Sequence, residues 1–192
     1  MHKSEQYQDK TDKDLIILTL EDQDNFLYLM ERYEAKLLRY VMRISNLDRH
    51  AAEDILQEVF IKTYQNLNDF DQDLKFSSWI YRITHNQVIS NYRKIKVRPQ
   101  FISVGDDDSF LNNLASDFDL IKKINLQDFK KDINKILSKL DIKYREVLIL
   151  RFLEDKDYKE ISDILKKPIG TVATLINRAK KQFKQIYEKQ GN

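Results

Sequence analysis

Three glycines and two prolines in 192 residues leave this chain too little turn punctuation to build a sheet. Its long mixed runs of charged and apolar residues, rich in Lys, Leu and Ile, favour helices instead. The expected fold class is all-α, built as two small helical domains joined by an acidic linker. Helical periodicity covers residues 14 to about 96, with polar breaks near 21–24, 46–49 and 68–75. Residues 99–121 carry no Lys or Arg but hold Asp106, Asp107, Asp108, Asp117 and Asp119, together with Pro99 and Gly105. That composition predicts a flexible linker over 99–126, between domains at 14–98 and 127–190. Each flanking part is long enough for a small core of its own.

With no cysteine in the chain, disulfides and thiolate metal sites are excluded, which suits a reducing cytoplasm. The polar N-terminal residues do not read as a secretory signal. The apolar run 15–20 is far too short to span a bilayer, so a cytoplasmic protein without membrane insertion is expected. The formal net charge of +2 says little by itself, because the information lies in how the charge is distributed. Residues 76–105 form a 30-residue stretch without one Asp or Glu, although Lys+Arg (33) and Asp+Glu (31) nearly balance overall. Within it Arg82, Arg93, Lys94, Lys96 and Arg98 alternate with Phe76, Trp79, Tyr81 and Tyr92. Cations neutralise phosphates and aromatic faces stack on unpaired bases, so a nucleic acid is the expected partner.

Asp157 and Glu160 have the spacing of a capping box, and Tyr158, Ile161, Ile164 and Leu165 give a short apolar stripe. Pro168 and Gly170 then interrupt the pattern, with Gly170 suited to a left-handed turn and Thr171 to capping a second helix. On that helix Val172, Ile176, Ala179, Phe183 and Ile186 fall within roughly 80° of one another at about 100° per residue. Thr174, Asn177, Arg178 and Lys181 occupy the opposite side. Helix, tight turn and two-faced basic helix make a helix-turn-helix, whose second helix enters the major groove.

Residues 50–67 form another two-faced helix. Ala52, Ile55, Leu56, Val59, Phe60 and Leu67 share one side, and Asp54, Gln57 and Glu58 the other. Ile61 falls on the polar side, where a partner that pairs the acids would bury it.

Taken together, these segments resemble the extracytoplasmic-function RNA polymerase sigma factors, the smallest members of the sigma-70 family. Residues 52–61 (AEDILQEVFI) resemble that family's polymerase-binding helix. Residues 76–86 (FSSWIYRITHN) with Arg93-Lys94 resemble its promoter-melting and −10-recognition helix. Residues 158–179 resemble its −35-reading helix-turn-helix. The resemblance implies that Asp54, Gln57, Glu58 and Ile61 dock on the clamp helices of the polymerase's largest subunit, and that the second domain sits on the flap of the other large subunit. It implies contacts to the melted −10 strand from Lys75, Phe76, Trp79, Arg82, Asn86, Tyr92, Arg93, Lys94 and Lys96, with the loop 68–75 capturing a flipped base. Thr171, Thr174, Asn177, Arg178 and Lys181 would read the −35 duplex. An anti-sigma factor is a further partner that the family commonly has.

The chain departs from the family at two places. Ser90 stands where an Asp is usual, which points to an altered −10 preference. Ala173 and Leu175 replace two usual cations, which predicts weaker −35 phosphate contacts and a shallower salt dependence. A stand-alone helix-turn-helix regulator is the competing class, but it leaves Asp54, Gln57, Glu58 and the acid-free stretch without a task. An enzyme is disfavoured. His2, His50 and His85 are the only histidines, none has two-ligand helical spacing, and no phosphate loop or nucleophile motif occurs. Lone His85 reads as a surface or supporting side chain, and no catalytic residue, metal or cofactor is expected.

Overall fold

A computed structural model describes residue 7, residues 9–94, residue 133 and residues 135–190. The expected linker therefore lies outside the described residues except where 94 and 133 border it. Among the described residues every regular element is helical. α1 (Asp12–Glu21) starts from a capping box in which the Thr11 hydroxyl accepts from the Asp14 amide and the Asp14 carboxylate accepts from that of Thr11. A 3₁₀ turn (Gln23–Asn25) leads into α2 (Phe26–Ser45), which ends on Asn46 in the left-handed conformation, φ 56°. Asp48 caps α3 (Arg49–Gln65) by accepting from the Ala51 amide. A second 3₁₀ turn (Leu67–Asp69) and a loop precede α4 (Phe76–Lys94).

These helices pack where their apolar stripes say they should. Leu29, Tyr33, Leu37, Val41 and Ile44 of α2 meet Ala52, Ile55, Leu56 and Val59 of α3 and Phe76, Ile80 and Val88 of α4, all buried. α1 adds Leu15 and Ile16, and its N-terminus is pinned by Arg32, which donates to the Asp12 carboxylate at 2.8 Å and to the Lys10 carbonyl at 2.6 Å.

The C-terminal domain is built on α5 (Ile142–Leu148), which widens into a π-helical turn (Ile149–Leu153). In that turn the Glu154 amide bonds the Ile149 carbonyl, five residues back, at 3.0 Å. α6 (Tyr158–Leu165) opens with the expected capping box: the Glu160 amide donates to Asp157, and the Asp157 amide to Glu160. α7 (Ile169–Gln190) follows at once. Val172, Ile176, Ala179 and Phe183 are fully buried, and Ile186 is half-buried.

Two details of the turn differ from expectation. Lys166, not Gly170, takes the left-handed conformation (φ 52°), and no described glycine has positive φ. α7 begins at Ile169, with the Pro168 carbonyl accepting from the Thr171 and Val172 amides. Thr171 therefore sits inside the first turn and does not cap it. Proline suits this entry because the first amides of a helix have no intrahelical acceptor to lose.

Candidate nucleic-acid and polymerase interface

α4 carries three different surfaces, and the four-residue repeat decides which residue lands on which. Phe76, Ile80, Thr84 and Val88 enter the N-terminal core. Tyr81 and His85 turn toward the C-terminal domain. Trp79, Arg82, Asn86 and Ser90 line an open cavity of about 430 Å³, closed on its other side by Lys62 and Asn66 of the α3 end. A second cavity, of about 340 Å³, lies between Phe70, Leu74, Lys75 and Phe76 and the start of α1.

The aromatic residues of this region divide between core and surface. Phe70, Phe76 and Trp79 form a cluster with ring centroids 4.9 to 5.6 Å apart. Phe76, expected as a stacking platform on the −10 strand, is only 4% exposed and packs on Tyr33, Phe70 and Trp79. Its ring belongs to the core, because its position on α4 falls on the Ile80–Thr84 stripe. Trp79 is half-buried, so one part of its ring supports the cluster while another lines the larger cavity. Tyr92, Arg93 and Lys94 fall in the last turn of α4, and Lys96 lies outside the described residues.

On α3 the polar face is outward. Asp54, Gln57 and Glu58 are exposed, and Ile61 is 56% exposed beside them. His50 lies 3.6 Å from Asp54 one turn away. Glu58 has a second task that sequence reasoning missed. Its carboxylate accepts from the side-chain amide of Gln87, whose carbonyl accepts from Lys62, so α3 is tied to α4 through a 5%-exposed glutamine. On α7, Thr171, Thr174, Asn177, Arg178 and Lys181 are all exposed on one side. The Thr174 hydroxyl donates to the Gly170 carbonyl at 2.9 Å, which leaves it as an acceptor toward any partner. Ala173 and Leu175 are half-buried, so both sit at the edge of the core and outside the centre of the exposed polar face.

Two family models match the chain. The model described as Sigma-70 region 2 covers residues 29–98, and that described as Sigma-70, region 4 covers residues 130–183. The chain is 32% identical over 170 residues to the ECF RNA polymerase sigma factor SigW of Bacillus subtilis, which spans 85% of this chain and 89% of the relative. The chain belongs to the ECF sigma factors of the sigma-70 family. The ECF RNA polymerase sigma-E factor of Escherichia coli is another such relative, 31% identical over 83% of this sigma factor and 84% of its own length. Its fold is shared with CnrH, solved in complex with the cytosolic domain of CnrY, at TM-score 0.67 and 22% identity over 93% and 97% of the two chains. It is shared too with RpoE of Bartonella quintana, solved with the anti-sigma factor NepR, at TM-score 0.64 and 20% identity over 85% and 97%.

A sigma factor acts in transcription initiation with RNA polymerase and promoter DNA. No cluster of three or more potential metal ligands occurs among the described residues of this sigma factor. None of its described helices is long and apolar enough to cross a membrane.

His85 is a buried supporting side chain and not a surface group. It is 8% exposed, 3.4 Å from the Tyr40 hydroxyl and 3.9 Å from Glu146, whose carboxylate lies 3.6 Å from Lys167. Burial, aided by the Lys167 charge, lowers its pKa to about 4. A histidine held neutral in the fold stabilises it fully above its ordinary pKa of 6.5, and that contribution drains away as pH falls toward 4. Burial raises Glu146 and Glu154, which act in the opposite sense because protonation relieves their desolvation. Comparison with His85→Gln isolates the histidine. Between pH 7 and 5 the parent loses about 1–2 kcal/mol of urea-unfolding stability relative to the variant. Parallel pH profiles for the two proteins contradict the assignment of a neutral, buried His85.

Proposed function

We propose that this sigma factor docks on the clamp helices of the polymerase's largest subunit through Asp54, Gln57, Glu58 and Ile61, places its second domain on the flap of the other large subunit, and opens promoters by capturing the melted −10 strand on α4. The observation that carries the reading is the larger cavity. It brings an aromatic edge (Trp79), a cation (Arg82) and an amide (Asn86) to one open concavity, which a base and its phosphate need together. Lys75 and the last turn of α4, with Tyr92, Arg93 and Lys94, extend the basic track. The smaller cavity beside the loop 70–75 has the size and aromatic wall for a flipped base.

Unstacking a base costs a few kcal/mol, and a protein without nucleotide hydrolysis can meet that cost only by binding the opened strand better than the duplex. Held on polymerase, α4 shifts that equilibrium where melting begins. On the duplex side, Asn177 and Arg178 supply donors for purine edges, Thr174 an acceptor, and Lys181 a phosphate contact. Thr171, at the start of α7, is placed to contact the backbone. Anti-sigma control is part of the same reading, supported by the fold shared with a sigma factor solved with a bound anti-sigma factor.

Mixing the full chain with core polymerase tests the reading. The expected result is a stable complex that initiates from a double-stranded promoter and renders −10 thymines reactive to permanganate. Duplex binding without any affinity for core polymerase would instead identify a stand-alone regulator.

A further inference from the structure

Across the seam between the two helical domains, charges are matched at close range. Glu154, just after the π-helical turn, accepts from Arg43 at 3.0 Å and from the Tyr81 hydroxyl at 2.6 Å. Lys75 lies 3.3 Å from Glu160 at the start of α6. These cations are engaged by acids of the protein itself. A cation of a different standing lies within the N-terminal domain, on the wall of the larger cavity.

Lys62 is exposed near the end of α3, one turn after Glu58. An acid and a lysine four residues apart on a helix ordinarily pair with each other. Here Gln87 of α4 enters between them. Its side-chain carbonyl accepts from the Lys62 ammonium, and its amide nitrogen donates to Glu58. The two charges allow one orientation of the amide, because a flipped amide would turn its N–H groups on the ammonium and its oxygen on the carboxylate. Gln87 is only 5% exposed, so packing holds the rest of its side chain. One of the three ammonium N–H groups of Lys62 goes to Gln87, and the others remain on a side chain that lines the cavity.

The lining of this cavity is net positive. Lys62 stands on its α3 wall and Arg82 on its α4 wall, with Asp69 the one acid among the lining residues. Trp79 and Asn86 share the α4 wall with Arg82. Cations on facing walls suit a phosphate next to a base seated against the tryptophan. A free lysine side chain gives up rotamer freedom when it grips a ligand, and one already held by Gln87 gives up less.

We propose that Lys62 is a further strand-binding residue of the cavity and that Gln87 is its positioning residue, oriented in turn by Glu58. Both roles rest on the strand-reading function proposed for α4 above. Composition does not point to Lys62, which lies outside the acid-free stretch 76–105.

Fluorescence anisotropy of a labelled single-stranded DNA of mixed sequence, titrated with the full chain at several salt concentrations, tests both roles. Lys62→Met is expected to weaken binding roughly tenfold and to make the logarithmic salt slope shallower by about 0.7, the share of one phosphate contact on a single strand. Gln87→Met has similar length but no hydrogen-bonding groups. It is expected to weaken binding roughly fivefold with the slope kept, because the lysine charge is still present. In the Lys62→Met background the same change should weaken binding no further. Gln87→Leu repeats the cycle should Gln87→Met fail to fold.

Arg82→Met marks the strand reader itself. If it weakens binding while Lys62→Met matches the parent in affinity and slope, the role of Lys62 is overturned and strand reading stands. Equal losses from Gln87→Met in both backgrounds overturn the positioning role, since a merely structural effect does not depend on Lys62. If the parent binds no oligonucleotide, or no variant weakens its binding, the strand-reading function of α4 fails and both roles fail with it.

Discussion

Truncating Phe183 to alanine is expected to melt the C-terminal domain while the N-terminal domain stays folded. Phe183 is among the largest fully buried side chains, and it sits on α7 where that helix packs against α5. Removing a buried phenyl ring costs about 3–5 kcal/mol, the lost transfer energy plus the cavity left behind. A helical domain of some sixty residues has only about 3–9 kcal/mol to lose, at 0.05–0.15 kcal/mol per residue. Two probes separate the domains. The single tryptophan, Trp79, reports the N-terminal domain, and far-ultraviolet dichroism reports both. In urea, Phe183→Ala should lose a large part of its dichroism well before the Trp79 emission changes. Coincident transitions would show that the seam welds the domains into one cooperative unit. Lys184→Ala, exposed one residue away, should stay within about 0.5 kcal/mol of the parent.

The second large effect concerns polymerase, and it separates two carboxylates that look equivalent in the sequence. Asp54→Ala should weaken binding to core polymerase by at least about 2 kcal/mol, roughly thirtyfold, with unchanged stability. Its side chain is 65% exposed and lies 3.6 Å from His50. Glu58→Ala should weaken binding and also destabilise the free chain by about 1–3 kcal/mol, because the buried Gln87 amide loses its acceptor. Titration of labelled variants against core polymerase, alongside urea melts, distinguishes the two. An Asp54→Ala chain that binds like the parent removes the docking role of α3.

The helices and their faces were legible because one rotation count applies along each of them. Val172, Ile176, Ala179 and Phe183 came out buried, and Ile61 stood out on the polar side as the same arithmetic required. The capping box at Asp157 and Glu160 was readable because its partners are three residues apart. Local signals misled where two positions could do one job. The left-handed residue of the turn is Lys166, since Pro168 forms the entry to α7 and leaves Gly170 in ordinary helix. Composition placed aromatics along the acid-free segment, but could not tell Phe76 in the core from Trp79 at the cavity. That choice depends on which stripe of α4 faces α2. Nothing in the sequence pointed to Glu154, because Arg43 and Tyr81 are 111 and 73 residues away from it.

The π-helical turn at Ile149–Leu153 has a consequence for how such a seam can be gained or lost. A wide turn holds one residue more than a regular helical turn, and each residue advances the chain by about 100°. Glu154 therefore meets Arg43 by virtue of chain length as much as of side-chain identity. Deleting a single residue from the turn, with every charge of the seam kept, would swing the carboxylate about a quarter of the way round the helix axis. Related chains with the same acids and bases but a regular turn would then lack the contact, so insertions and deletions at this point are the changes by which domain coupling could be switched on or off.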